Sequence, residues 1–215
     1  MDQLYLYIAN KNYSSWSFRP WIAMKTIGLD FKEILVPFGE TIGQSGFEAF
    51  SPTARVPVLK HGNLVVWEST AILDYVDELD KAAGLWPDDR AERATARSLC
   101  AEMHAGFSAL RATCPMNMRR VPGKIDLSDA VNADIARVET IFSECLEQSG
   151  GPFLFGRFGA VDAMFAPVVN RFEVYCLSRH PTVMTYMDTI KALPAYREWE
   201  QAGKAEPWIV PEDEA

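Results

Sequence analysis

The chain has 215 residues, of which 48% are hydrophobic and 23% charged, and its formal net charge is −8. This length fits one large domain or two small ones, and the composition is ordinary for a globular protein. Because the chain is acidic and its basic residues form no run, we expect neither a nucleic-acid partner nor an anionic membrane partner.

The cysteines and the first residues bear on the compartment. No apolar run is long enough to cross a membrane, and the opening MDQLYLYIAN lacks the positive charge that begins a signal peptide. No CxxC pair is present, and the three histidines are scattered along the chain. We therefore expect a cytoplasmic protein with reduced thiols and no metal site.

The first 30 or so residues predict a strand followed by a helix. Leu4 to Ala9 is a short β-rich run. Because proline is tolerated in the first helical turn, we expect the helix to begin at Arg19-Pro20. Gly28 is a good residue to follow the last helical turn, so the helix should end there.

The next 50 or so residues predict a hairpin between a strand and a helix. FKEILVPF is a second strand, and ETIGQSGFEAFSP is irregular, with room for a short helix. Val56 to Leu59 and Leu64 to Trp67 flank a His61-Gly62-Asn63 turn. Apolar residues between Ala71 and Leu79 then follow helical spacing. A strand, a helix, a strand and a hairpin indicate a mixed four-stranded sheet covered by helices.

After the stretch AAGLWPDD the sequence shows no further strand pattern, and apolar residues follow helical spacing in long stripes. The first stripe contains Leu99, Met103, Phe107 and Leu110. We therefore expect two domains: residues 1–81 form an α/β domain, and residues 88–215 form an all-α helical domain.

Four segments carry a resemblance to a known family. They are SSWSFRPWIAMKTIGLDF, SPTARVPVL, WESTAILDYVDE and FGRFGAVDAMFAPVVNRF. In this order they resemble the first helix, the cis-proline loop, the glutathione-clamping helix start and the buried capping motif of glutathione transferases, in the serine-type (zeta-like) branch. The resemblance implies a thioredoxin-like N-terminal domain, glutathione as co-substrate, a homodimer and a role in detoxification.

The sequence departs from that pattern at two positions. The family's helical motif usually has serine or threonine three residues before its aspartate, but here Gly159 precedes Asp162. Glycine offers no side-chain acceptor, so we expect an incomplete capping box. Trp16 stands where zeta-like sequences often have a small residue, and it could narrow the site.

Ser14 and Ser15 precede the predicted helix, and two interpretations apply to them. Both could cap the helix. Alternatively, one hydroxyl could hold the thiolate of glutathione, since a hydrogen bond to an anion contributes roughly 1.5–3 kcal/mol and a helix N-terminus roughly 0.3–1 kcal/mol. The resemblance, by the spacing to Arg19, favours Ser14 as the catalytic residue and Ser15 as a helper.

The resemblance also implies the residues that bind glutathione. A cis bond between Val56 and Pro57 would direct the Val56 backbone toward the cysteinyl backbone of the ligand. Ser69, at a helix start, would bind a ligand carboxylate, and Glu68 its ammonium group. Each could instead have an ordinary structural role. Arg55 and Gln44 are further candidates for glutathione contacts.

We expect the electrophile to bind between the domains, against the first helix of the helical domain. The candidates there are Trp16, Met103, His104, Phe107 and Arg111. For Met103 and Phe107 the alternative is a place in the core, and for His104 a partly buried structural role. Asp162 is expected to be structural.

These residues predict a glutathione transferase that conjugates the thiolate to a soft electrophilic small molecule. One alternative is a glutathione-dependent cis-trans isomerase of the maleylacetoacetate isomerase type, although the sequence has no obvious basic cluster for a diacid substrate. Another is a non-catalytic protein that binds glutathione or other ligands. The absence of a cysteine at the nucleophile position argues against a thiol-disulfide oxidoreductase and against the omega-like and beta-like branches.

Overall fold

The computed structural model describes residues 2–38 and 46–214. Its strands are β1 (Leu4–Ile8), β2 (Phe31–Leu35), β3 (Val58–His61) and β4 (Leu64–Trp67). They form one sheet in the order β2-β1-β3-β4, in which β1 is parallel to β2 and antiparallel to β3. The sheet is therefore mixed and four-stranded, as the sequence predicts.

The helices are α1 (Ser15–Thr26), α2 (Ser69–Leu79), α3 (Arg90–Ala105), α4 (Ser108–Thr113), α5 (Asp129–Ser149), α6 (Ala160–Val174), α7 (Pro181–Ala192) and α8 (Pro194–Ala205). Short 3-10 turns occupy Phe47–Ala49 and Pro211–Asp213. Within the described ranges, none of these helices is long and apolar enough to cross a membrane. An α/β unit followed by helices is the predicted architecture; the exact domain limits stay a prediction.

Helix α1 departs from the prediction at its start and agrees with it at its end. It begins at Ser15, so Pro20 is the sixth helical residue instead of lying in the first turn. The helix continues past this buried proline because packing of α1 against the sheet and α6 outweighs one missing backbone hydrogen bond. At the other end Gly28 has φ +75°, and the Leu29 N–H donates to the Met24 carbonyl across 3.0 Å.

The predicted stripe from Leu99 to Leu110 is also not one helix. Helix α3 ends at Ala105, and Phe107 has φ +56°, so α4 begins in a new direction. Gly106 permits the break, since a Cβ there would lie 2.8 Å from the Glu102 carbonyl oxygen. Leu99 and Leu110, at the two ends of this stretch, nevertheless have buried side chains, as the helical pattern predicts.

Close packing explains why a glycine occupies position 159, where the sequence departs from the family pattern. A Cβ there would lie 2.7 Å from the carbonyl oxygen of Leu85, in the segment that joins the sheet to the helices. The same carbonyl accepts a hydrogen bond from the Ala160 N–H across 2.8 Å. Half of a capping box remains, because Asp162 accepts from the Gly159 N–H at 2.9 Å.

Asp162 itself is a buried structural anchor, as expected. Its carboxylate also accepts from the Leu154 N–H at 3.1 Å and the Tyr186 hydroxyl at 2.9 Å. Burial raises the pKa of Asp162 to about 6, while the hydrogen bonds from Leu154, Tyr186 and Gly159 act in the opposite direction.

Candidate active site

A cleft between the sheet and the helices contains two adjoining cavities, of about 590 Å³ and about 310 Å³. The two cavities share four of their lining residues, namely Trp16, Arg55, Val56 and Arg111. The larger cavity continues toward the start of α1, and the smaller one toward the start of α2. The cleft therefore joins two helix N-termini, which favour negative charge.

Ser14 and Ser15 line the larger cavity at the start of α1. Ser14 precedes the first helical residue, yet its side chain does not cap a backbone N–H. Instead its hydroxyl donates to Ser17 Oγ across 2.7 Å, and the Ala9 N–H donates to the same oxygen across 3.1 Å. Simple helix capping thus does not account for Ser14.

Glu68 and Ser69 lie together in the smaller cavity, at the junction of β4 and α2. Ser69 is the first residue of α2, and its buried Oγ has no hydrogen-bond partner within residues 2–38 and 46–214. Glu68 has φ +67°, a strained conformation for a residue with a side chain. Val56 and Pro57 also line this cavity, and the bond between them is cis, as the resemblance implies.

His104 and Trp16 form the helical side of the smaller cavity. The Nε2 of His104 is 3.6 Å from Glu68 Oε2, and the His104 ring meets Trp16 edge-on with centroids 5.1 Å apart. Two guanidinium groups also contact the Trp16 ring: the Cζ of Arg19 is 4.0 Å from the ring centroid and the Cζ of Arg111 is 5.3 Å from it. Trp16 therefore contributes to the walls of both cavities.

Positive charge concentrates around the larger cavity. Arg19 is fully buried below Ser15, and Arg171, which is 4% exposed, lines the cavity. Arg171 donates to the Cys114 carbonyl at 2.8 Å and to Ser15 Oγ at 3.4 Å, and its Nη1 has no partner among the described residues. Burial lowers the pKa of Arg171 to about 10, and the neighbouring Arg111 acts in the same direction.

Other predicted residues lie elsewhere. Met103 and Phe107 are buried in the core and line neither cavity, which is the alternative given for them. Gln44 lies outside the described residues. The cysteines line neither cavity, and burial raises the pKa of the Cys114 and Cys145 thiols to about 11, so these two are poor nucleophiles.

Sequence reasoning missed several residues of the site, among them Tyr13, Arg171 and Asp213, which line the larger cavity, and Ser17, which accepts from the Ser14 hydroxyl. Arg171 carried a usable signal, because a helix that is apolar all round, as α6 is, must bury any arginine it contains. With Arg55 and Arg111 it forms the basic cluster that the sequence did not reveal. Asp213 gave no signal, since only the folded chain brings it to the cavity.

Metal binding has no support in the described part of the chain. Within it, no group of three or more histidine, cysteine, aspartate or glutamate residues could hold a metal ion.

Family models match most of the chain. The N-terminal domain model of glutathione S-transferases matches residues 13–79, and the C-terminal domain model matches residues 125–202. The first match includes the start of α1 and the start of α2, and the second includes the buried helix α6.

Individual relatives agree with these matches. Protein IN2-1 homolog B of rice (Oryza sativa) is 26% identical over 91% of this chain and 79% of its own, and a probable maleylacetoacetate isomerase of Vibrio cholerae is 28% identical over 86% and 90%. A Burkholderia glutathione transferase homologue solved with bound glutathione is 25% identical, with a TM-score of 0.75 over 95% of this chain and 100% of its own. A tau-class enzyme from mango shares the fold, at 18% identity and a TM-score of 0.73 over 94% and 96%. This chain belongs to the glutathione S-transferase family.

Proposed function

We propose that this protein is an enzyme that binds glutathione in the smaller cavity and transfers its thiolate to a soft electrophile in the larger one. The observation that carries the proposal is the buried Ser69 hydroxyl at the first residue of α2, which has no hydrogen-bond partner among the described residues and lies beside the strained Glu68. A buried polar group without a partner costs roughly 1–3 kcal/mol, which a bound carboxylate would relieve. The family uses glutathione as its co-substrate, and the Burkholderia homologue was solved with it bound.

The cavity offers a complementary group for each end of glutathione. The N–H groups at the start of α2 and the Ser69 hydroxyl would hold the γ-glutamyl carboxylate, and Glu68 would hold the ammonium beside it. The Val56 backbone, on the wall between the cavities, would pair with the cysteinyl backbone. Arg55 is exposed on the same wall and would reach a carboxylate.

This placement would direct the cysteinyl thiol toward Ser14. A thiol with a pKa near 8.5 needs about 2.7 kcal/mol of preferential thiolate stabilisation to ionise two pH units lower. A hydrogen bond from Ser14 supplies roughly 1.5–3 kcal/mol. The start of α1 and the buried guanidiniums of Arg19 and Arg171 would add favourable electrostatic interactions with a thiolate.

The arginines favour an electrophile that carries a negative group. Arg111 and Arg171 line the larger cavity, and Arg171 Nη1 has no partner among the described residues. A guanidinium binds a carboxylate with two parallel hydrogen bonds. This favours a second candidate function, glutathione-dependent cis-trans isomerisation of an unsaturated diacid, in which the thiolate adds and then leaves. The Vibrio cholerae relative, a probable maleylacetoacetate isomerase, supports that candidate.

One experiment distinguishes the two reactions. The wild-type protein would be incubated with reduced glutathione and either a panel of aryl halides and activated alkenes or maleylacetone. Consumption of one glutathione per product supports conjugation. Turnover of maleylacetone without net loss of glutathione supports isomerisation. Binding of glutathione with no turnover of any of these compounds would contradict both and favour a non-catalytic carrier.

Three further parts of the proposal follow from the family. We propose that the protein acts as a homodimer in the cytoplasm, and that it serves in detoxification. Size-exclusion chromatography with light scattering measures the dimer directly, and a monomer at micromolar concentration would contradict it.

A further inference from the structure

The segment after α8, residues 206–214, is attached beside the larger cavity, whose wall includes its residue Asp213; we call it the tail segment. Arg119 is its main attachment. This guanidinium donates to the carbonyls of Glu206 and Trp208, at 2.7 and 2.8 Å, and to the Tyr13 hydroxyl at 2.5 Å. Tyr13 in turn donates to the carboxylate of Glu214. The tail segment is therefore held in a defined position beside the residue that precedes Ser14.

Asn117 fixes the end of the tail segment. Its side-chain amide donates to the Asp213 carbonyl and to Glu214 Oε1, each at 3.2 Å. Asn117 is itself buried and held by Asn170, whose Oδ1 accepts from the Asn117 N–H at 3.1 Å. With its backbone held in this way, Asp213 contributes to the wall of the larger cavity, together with Arg111 and Arg171.

Asp213 is the one carboxylate among the described residues that line this cavity. Burial raises the pKa of Asp213 to about 6, while attraction to Arg171 acts in the opposite direction. The neighbouring carboxylates differ from it: Glu212 is exposed, and Glu214 is engaged by Tyr13 and Asn117. In the part of the chain that the structure describes, Arg171 Nη1 has no hydrogen-bond partner, so Asp213 partly offsets the charge of Arg171 without occupying this hydrogen-bonding position.

We propose that Asp213 is a specificity-determining residue: a carboxylate supplied by the tail segment that limits how strongly Arg171 and Arg111 attract an anionic electrophile. This inference rests on the proposed function. A substrate carboxylate that approaches Arg171 meets the negative charge of the half-buried Asp213 on the wall of the same cavity, and like charges repel. A neutral electrophile of the same size meets no such opposition. Asp213 thus favours neutral or singly charged substrates over more strongly charged ones.

The test compares two inhibitors of equal length, S-hexylglutathione and an S-alkylglutathione whose chain ends in a carboxylate. Their dissociation constants would be measured by calorimetry for the wild type, Asp213→Asn and the matched control Glu212→Gln. We expect Asp213→Asn to bind the carboxylated ligand about tenfold more tightly and S-hexylglutathione less than about twofold differently. Glu212→Gln should leave both constants unchanged. Asp213→Glu, which keeps the charge, should retain the wild-type preference.

Each other outcome contradicts a particular claim. If S-hexylglutathione binds the wild type but Asp213→Asn changes both constants equally, or neither, then Asp213 does not set specificity. An equal response to Glu212→Gln would mean that the effect is one of general surface charge. If the wild type binds neither ligand, the proposed function fails and the inference fails with it.

Discussion

The Ser14 hydroxyl and Ser17 Oγ lie 2.7 Å apart and share a hydrogen bond within the first turn of α1. Ser17 is fully buried, and its oxygen also accepts from the Ala9 N–H. A hydroxyl rotates to suit its partners. When a thiolate arrives, Ser17 can donate to Ser14, and Ser14 can then donate to the sulfur. The Ala9 N–H would orient both hydroxyls throughout.

Replacing Ser14 is therefore expected to impair thiol activation more than glutathione binding. Ser14→Ala should lower kcat roughly 10- to 100-fold, because the lost hydrogen bond to the anion is worth about 1.5–3 kcal/mol. The dissociation constant of glutathione should change less than about threefold. The check is steady-state kinetics together with an ultraviolet titration of the bound thiolate, whose pKa should rise in the variant.

Ser17→Ala and Ser15→Ala are the controls for that result. Ser17→Ala should lower kcat less than Ser14→Ala, and the double variant should resemble Ser14→Ala alone, because Ser17 acts through Ser14. A larger loss from Ser15→Ala than from Ser14→Ala would reassign the catalytic hydroxyl to Ser15.

Glu206 is expected to hold the loop that precedes Ser14. Its carboxylate accepts from the N–H groups of Lys11 and Asn12, at 2.7 and 3.0 Å. In Glu206→Gln only one side-chain oxygen remains, so one buried N–H loses its acceptor, at a cost of about 1–3 kcal/mol of unfolding free energy. Urea denaturation measures the change. Glu198→Gln, at an exposed ion pair with Lys25, should cost less than about 0.5 kcal/mol.

Gly159→Ala should destabilise the protein, because Gly159 lies just before α6 in close contact with the segment that contains Leu85. The new Cβ would lie 2.7 Å from the Leu85 carbonyl oxygen, and backbone must move to relieve that contact. We expect a loss of about 1–3 kcal/mol by urea denaturation. The control is Gly123→Ala, where the nearest atom to the new Cβ is 3.9 Å away. Equal stability of the two variants would mean that Gly159 has no packing role.

Asp213→Asn should change the pH dependence of stability. Because burial raises the pKa of Asp213 from 3.8 to about 6, the folded protein binds this proton more tightly than the unfolded chain does. The contribution of Asp213 to stability therefore falls as pH rises from about 4 to 6. Because the Asp213 side chain is only half-buried, we expect a modest effect. The free energy of unfolding of Asp213→Asn should exceed that of the wild type by about 1 kcal/mol above pH 6 and should equal it near pH 4.

Denaturation of both proteins across that pH range measures the difference. Asp162, whose pKa burial also raises to about 6, contributes equally to both proteins, so subtraction isolates Asp213. A difference that stays constant from pH 4 to pH 8 would contradict this assignment.

Local patterns predicted the elements that local chemistry determines. The hairpin follows from the turn at Gly62, which has φ +58°, and the end of α1 from Gly28. The start of α1 was not predicted correctly from the local pattern, because tertiary packing keeps Pro20 inside a continuous helix. The break at Phe107 was hidden because its side chain stays buried, so the apolar pattern runs on through the turn.

The candidate site was predictable only in part, for a related reason. Ser14, Glu68 and Ser69 lie at helix starts, and such positions have recognisable residues. Arg171 and Asp213 come from a buried helix and a tail segment, about 40 residues apart, and only the fold brings both to one cavity. Their joint role depends on distances that no local pattern encodes.

The most direct test of the glutathione site is a calorimetric titration of the wild type, Ser69→Ala, Glu68→Gln and the exposed control Ser98→Ala with reduced glutathione. We predict one site per chain in the wild type and in Ser98→Ala, and binding weakened about tenfold or more in the other two variants. No detectable binding by the wild type at several temperatures, with no competition from S-hexylglutathione, would contradict the account. So would wild-type affinity in both Ser69→Ala and Glu68→Gln.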